Sequence, residues 1–505
     1  MIGLWLDRWF GKRTSAPLPA PEALFTPTQE RMAQALAHSG GRRVPPHRAA
    51  ERLQNLPSHR YLILDQSVRT HLSEYERLSA QATPEFREFA AQLFIQGCDR
   101  DGRLRQRALQ TMRKHPGRLA TALALIRCDD WVPQVRDEAM ALLTDIVDRE
   151  GSEPLFELGG LLLSLRGRQR IQARAWPELI EPALRRTASA TRWRVISSGD
   201  ARARALAYAY TLDAEPDRAH ELGLYAITDI DPANARWALD AVAPRLPALL
   251  HHGLARAGLL HPQARIRAQA VRMLHAEQAD TRALLEQRIL DSAAAPRGAA
   301  TYLLRNRHGV DPLPLWRAAL ENGSAAQARA ALQALADHGQ PEDAARLLPW
   351  LQHRAGAVRA VALRALVRTG TPEALDRLPA ALRDHSAKVR RQALALYQRL
   401  PGALNAETLN TALHTASDEA TRATLAQATR LLDRWQALSA LLQSWKRSPE
   451  SLALRHEVAN WVAARSGNAT HLPATLRSEL ETLLDEIYGL EIGQRATIVH
   501  AMKYA

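Results

Sequence analysis

Ten arginines crowd the stretch from Arg166 to Arg204. They are Arg166, Arg168, Arg170, Arg174, Arg185, Arg186, Arg192, Arg194, Arg202 and Arg204. Only Glu178, Glu181 and Asp200 oppose them, so this stretch holds half of the chain's net charge of +14. A guanidinium fork matches phosphates and carboxylates two hydrogen bonds at a time. Trp176 and Trp193 lie in the same stretch, Trp193 directly between Arg192 and Arg194. An indole can stack on a nucleobase or a guanidinium. These residue types suit the docking of an anionic partner, either an acidic protein or a nucleic acid. The competing reading is a solvated helix face above two core tryptophans. Only five of the 67 basic residues are lysine, and such an arginine bias fits a GC-rich, bacterial-like coding sequence.

Other chemistry finds no constellation. His251, His252, His261 and His275 form neither an HExxH helix nor a Cys/His grid, so no metal is expected. Gly40-Gly41 and Gly159-Gly160 match no phosphate loop, and no GxSxG, SxxK or kinase signature occurs. Asp213, Asp229 and Asp231 suggest a carboxylate cluster, but Asp231-Pro232 reads as a helix start. Cys98 and Cys128 are too few for a disulfide framework or a thiolate zinc site, and they indicate a reducing, cytoplasmic setting. No catalytic residue and no cofactor is therefore expected.

Residues 1–13 read as a short amphipathic helix, with Ile2, Trp5, Leu6 and Trp9 on one face and Phe10 beside them. Arg8, Lys12 and Arg13 make it basic. Three readings stand: insertion in a membrane interface, docking in a protein groove, or folding back as a cap. Residues 14–46 read as a Pro/Gly-rich linker region. No apolar run is long enough to predict a membrane span.

The elements that must position these groups repeat along the chain. Asp99-x4-Leu104-Arg105-x2-Ala108 recurs 31 residues on as Asp130-x4-Val135-Arg136-x2-Ala139. It returns as Asp384-x4-Val389-Arg390-x2-Ala393. With His in place of Asp it is found at His261-x4-Ile266-Arg267-x2-Ala270 and His353-x4-Val358-Arg359-x2-Ala362. The Asp predicts a helix cap, the aliphatic residue a buried stripe, and the Ala a close helix–helix approach. A unit of 31 residues holds two helices of about 12 residues, and such a pair buries its apolar face only by stacking on the next.

This motif resembles HEAT repeats, particularly the short variety of lyase-like HEAT proteins. The resemblance implies an all-α solenoid, a superhelical stack of antiparallel helix pairs. It also implies a ladder of side-chain hydrogen bonds through Asp99, Arg105, Asp130, Arg136, Asp384 and Arg390, with Arg267 and Arg359 in the same register. The expected organisation is repeats over 47–150, an irregular basic helical middle over 151–260, repeats over 261–435 and a helical capping region over 436–505. The resemblance implies a non-catalytic scaffold that offers a concave surface to a protein partner, with the arginine-rich segment facing an acidic one. Nucleic-acid binding through the same arginines is the alternative. Trp193 with Asp200 faintly echoes the HEAT-like DNA glycosylases, but no extended motif accompanies them. Peripheral membrane contact through the N-terminal helix completes the expectations.

Overall fold

Alanine and leucine at helical spacing give helices almost throughout the computed structural model, which describes residues 38–39, 42–43, 46–70, 87–274, 278–416, 418–464 and 471–505. The exception among the described residues is a two-residue antiparallel pair, His38–Ser39 with Arg42–Arg43. It falls inside the segment expected to be linker. The chain divides into two compact units, Met1–His275 and Ala276–Ala505.

In the first unit, Gly102–Met112 and Arg118–Arg127 both pack on Pro133–Glu150. Further along, Ala201–Ala214 receives Gly159–Leu165, Ser189–Ser198 and Ala219–Ile227. In the second unit, Ala325–His338, Gly356–Arg368 and Ala387–Tyr397 stack in succession. Each stacked helix presents the small residue of the motif inward. Ala108 is 2 % exposed, while Ala139, Ala362 and Ala393 have no exposed surface. An Ala there lets two helix backbones approach without displacing side chains.

The turns before the motif-bearing helices share one geometry. The first residue's side chain accepts the N–H two residues on: Asp101 N to Asp99 Oδ1 at 2.7 Å, Val132 N to Asp130 Oδ1 at 3.0 Å and Ser386 N to Asp384 Oδ1 at 2.7 Å. The turn aspartate thus folds the turn itself, an Asx turn, and the helix cap can fall to a later residue. Asp101 caps Gly102–Met112. His261 and His353 make the same bond through Nδ1, to Gln263 N and Ala355 N, both at 3.0 Å. An imidazole can do this only as an acceptor at Nδ1. Six residues after the turn residue, an arginine donates back to its carbonyl. Arg105, Arg136, Arg267, Arg359 and Arg390 do so at 2.8–3.0 Å.

Rungs between neighbouring turns complete the ladder. Arg105 forks on Asp130 at 2.9 and 2.8 Å, and Arg359 forks on Asp384 at 2.8 and 2.6 Å. A further rung, Arg204 on Asp229 at 2.7 and 2.6 Å, lies inside the 151–260 stretch where no clean copy of the motif is legible. A copy the pattern obscures, Asp291-x4-Pro296-Arg297-x2-Ala300, keeps the turn as well. There Ala293 N donates to Asp291 Oδ1 at 2.9 Å and Arg297 to the Asp291 carbonyl at 2.8 Å.

Prolines scattered through the middle do not interrupt its helices. Pro182 and Pro244 follow π-turns, at Trp176–Ile180 and Ala238–Val242, within continuous helical runs, whereas Pro154, Pro177, Pro216 and Pro232 occupy first-turn positions and Pro247 precedes Ala248–Gly258. A missing N–H is harmless in a first turn. The pair Gly159-Gly160 has a packing role: a Cβ on Gly159 would lie 2.8 Å from Ala203 Cα, and one on Gly160 2.5 Å from Ser58 Oγ.

Candidate functional site

The arginine-rich segment spreads over several short helices of the first unit, and its charge is largely met by carboxylates from elsewhere in that unit. Arg168 pairs with Asp129 at 3.0 Å, Arg174 with Asp137 at 2.6 Å and Arg194 with Glu153 at 2.7 Å. Arg185 bridges Glu181 at 2.7 Å and Asp213 at 3.0 Å. Arg192 is buried against Glu215 and also donates to the Thr187 carbonyl. Arg204 is a ladder rung. Arg166 lies over the buried Trp176 ring, 5.4 Å from its centroid. Arg170, Arg186 and Arg202 remain exposed, with no carboxylate in ion-pair range among the described residues.

Trp193 is not open for stacking. Arg218 covers it at 4.1 Å from the ring centroid, Tyr225 meets it edge-on at 5.5 Å, and its Nε1 donates to Glu215 Oε2 at 3.0 Å. Burial raises the Glu215 carboxyl, but hydrogen bonds from Trp193, Arg192 and Ser189 outweigh it and hold the group down to about 2. Asp200, paired with Trp193 in the glycosylase echo, caps helix Ala201–Ala214. Its Oδ1 accepts Arg202 N and Ala203 N at 2.9 and 2.8 Å, and Ser58 Oγ donates to its Oδ2 at 3.3 Å. Asp229 is likewise engaged, accepting from Arg204, Tyr208, Asn234 and the Asp231 N–H. Its burial would raise it, yet these donors keep it below the usual carboxylate value.

Both cysteines are buried thiols. Burial, with Asp65 nearby, pushes Cys98 well up, and burial takes Cys128 to about 12. Neither is an activated nucleophile, since reactivity requires thiolate. Among the described residues no group of three or more His, Cys, Asp or Glu could hold a metal ion, and no helix is long and apolar enough to cross a membrane. Ile2, Trp5, Leu6, Trp9 and Phe10 lie outside the described residues.

The second unit contains a feature that sequence reasoning missed. Between the turns at His353 and Asp384 lies a cavity of about 520 Å³. Its apolar lining comes from Leu348, Leu351, Leu363 and Val389. The ladder pair Arg359–Asp384 forms one wall, and Arg359 also donates to His385 Nε2 at 3.0 Å. Arg354 and Arg377 line it too, both exposed, and neither has a carboxylate in ion-pair range among the described residues. The only signal in the sequence is that Arg354 follows the turn residue of a recognisable repeat. Arg377 follows Asp376 and looks like any surface arginine.

Residues 313–397, which include this cavity, match the family model of HEAT repeats. No curated protein matches the chain. HEAT repeats are in general surfaces for protein interaction and are in general non-catalytic.

Proposed function

We propose that this HEAT-repeat chain is a non-catalytic scaffold that binds a protein partner with acidic character. The observation that supports this best is a set of large apolar side chains left in water in ladder register. Trp131 is 62 % exposed and Ile230 93 % exposed, and each directly follows a ladder aspartate, Asp130 and Asp229. Their equivalent positions place both on the turn edge of the first unit. Exposed aromatic and aliphatic side chains in a shared register provide the anchors on which protein interfaces depend. The cations Arg170, Arg186 and Arg202 would steer an acidic partner toward this unit.

Stacking of a nucleobase on Trp193 among the arginines lacks support, because Arg218 and Tyr225 occupy that ring. Affinity capture with the immobilised full chain tests the reading, after nuclease treatment and against a Trp131→Ser/Ile230→Ser variant. A protein retained by the wild type and lost from the variant is the expected result. Retention that the double change leaves untouched, or that nuclease abolishes, overturns it.

A further inference from the structure

The cavity between the His353 and Asp384 turns combines three features. Its charged wall is internally neutral: Arg359 is forked on Asp384, and it also donates to the His353 and Arg354 carbonyls and to His385 Nε2. A guanidinium can only donate, so that ring nitrogen is an acceptor. The two cations at the cavity that no carboxylate meets, Arg354 and Arg377, therefore set its electrostatic sign. Its apolar lining is aliphatic, and the rings that line it are imidazoles: His385, and His353, which lies against Trp350 with centroids 5.9 Å apart.

We propose that this cavity binds an acidic, leucine-bearing peptide segment of the protein partner. The inference rests on the reading of the chain as a protein scaffold and gives it a second, chemically defined site. Its volume lies in the range of pockets that enclose a few side chains. Carboxylates of the segment would meet Arg354 and Arg377, while a leucine side chain enters the Leu348, Leu351, Leu363 and Val389 lining. A nucleic acid would satisfy the two cations and leave that lining without a partner, since base recognition without hydrogen-bond readout relies on aromatic stacking.

Fluorescence anisotropy of the full chain with a terminally blocked, labelled octapeptide of alternating glutamate and leucine tests this. The expected result is saturable binding to that peptide. Peptides with lysine replacing glutamate, or serine replacing leucine, should bind at least about tenfold more weakly. An Arg354→Glu/Arg377→Glu variant should lose binding by at least about tenfold while its thermal midpoint stays put, because both side chains are exposed and unpaired. Arg170→Ser/Arg186→Ser/Arg202→Ser should bind the peptide as the wild type does.

Equal binding of the glutamate and lysine peptides overturns the proposal, and so does wild-type affinity in the charge-reversed variant. Displacement of the peptide by a single-stranded oligonucleotide of higher affinity overturns it in favour of nucleic acid. Failure of the peptide while capture through Trp131 and Ile230 persists removes the cavity assignment alone. Failure of both removes the scaffold reading as well.

Discussion

The arginine-rich stretch of the first unit and the cavity of the second use one residue type to opposite ends. In the first, a dense local surplus of arginine meets Asp129, Asp137, Glu153, Asp213, Glu215 and Asp229, so most of the charge closes on the protein itself. In the second, two arginines in a stretch of ordinary composition stand beside an aliphatic hollow without a counter-ion among the described residues. Charge density along a chain and charge available to a partner are therefore different quantities. Only the folded arrangement separates them, because partners 23 to 41 residues apart in sequence are invisible to a local count.

The sharpest way to break the comparison is to remove a carboxylate from the closed set. Asp229→Ala leaves Arg204, Tyr208 and Asn234 without their shared acceptor. Breaking a buried, hydrogen-bonded pair costs about 3–5 kcal/mol. Denaturant unfolding should show that loss in the first unit. Stability within experimental error of the wild type would mean that the rung is ornamental. Arg192→Ser removes the buried partner of Glu215 and should follow at about 2–3 kcal/mol.

Next in size is the helix crossing at Gly159. The Cβ of Gly159→Ala would sit 2.8 Å from backbone, with no flexible side chain to yield. Overpacking of this kind costs about 1–3 kcal/mol. The matched change Gly167→Ala, where nothing lies within 4 Å, provides the control. A thermal midpoint unchanged by both substitutions would contradict the close approach of Gly159–Leu165 to Ala201–Ala214.

Acid should open the closed pairs gradually. Burial pushes Asp130, Asp229 and Asp384 upward, but the arginines and turn N–H groups bonded to them leave all three below the ordinary carboxylate value. A carboxylate depressed in the folded state contributes stability that is fully present above its unfolded value, and the contribution disappears as pH falls through the folded value. Stability should thus hold through neutrality and decline below about pH 4. In Asp384→Asn the decline should be shallower, which urea midpoints between neutral and acid pH would show.

Much of the ladder was legible because its residues recur at fixed offsets. The offset of six between turn residue and arginine carries the carbonyl bond at every copy of the motif that the sequence shows. The rung at Arg204 and Asp229 was not legible, because Asn234 and Ala235 stand where the aliphatic residue and Arg of the motif would be. Substitution also hides a second regularity. The repeats before the His261 and His353 turns carry Ala235 and Ala328 at the rung position. An imidazole that accepts its own turn N–H offers no carboxylate to a neighbouring guanidinium, so a buried arginine there would have no counter-charge. The exposed groups resisted reading for a different reason. Repeat sequence encodes the stack, and whether Arg354 or Arg170 finds a carboxylate depends on helices that pack beside it.

The smallest expected effect is the most informative about the open set. Arg354→Ser/Arg377→Ser removes as much charge as two of the closed arginines carry, yet no ion pair breaks. Substitutions on a surface away from such pairs shift stability by less than about 0.5 kcal/mol. Measured beside Arg192→Ser in the same buffer, the double change should leave the unfolding midpoint in place. A loss comparable to that of Arg192→Ser would show that Arg354 and Arg377 hold the second unit together and would remove the contrast between the regions. An unchanged midpoint leaves these two cations with no structural task, which is the condition a site kept open for a carboxylate must meet.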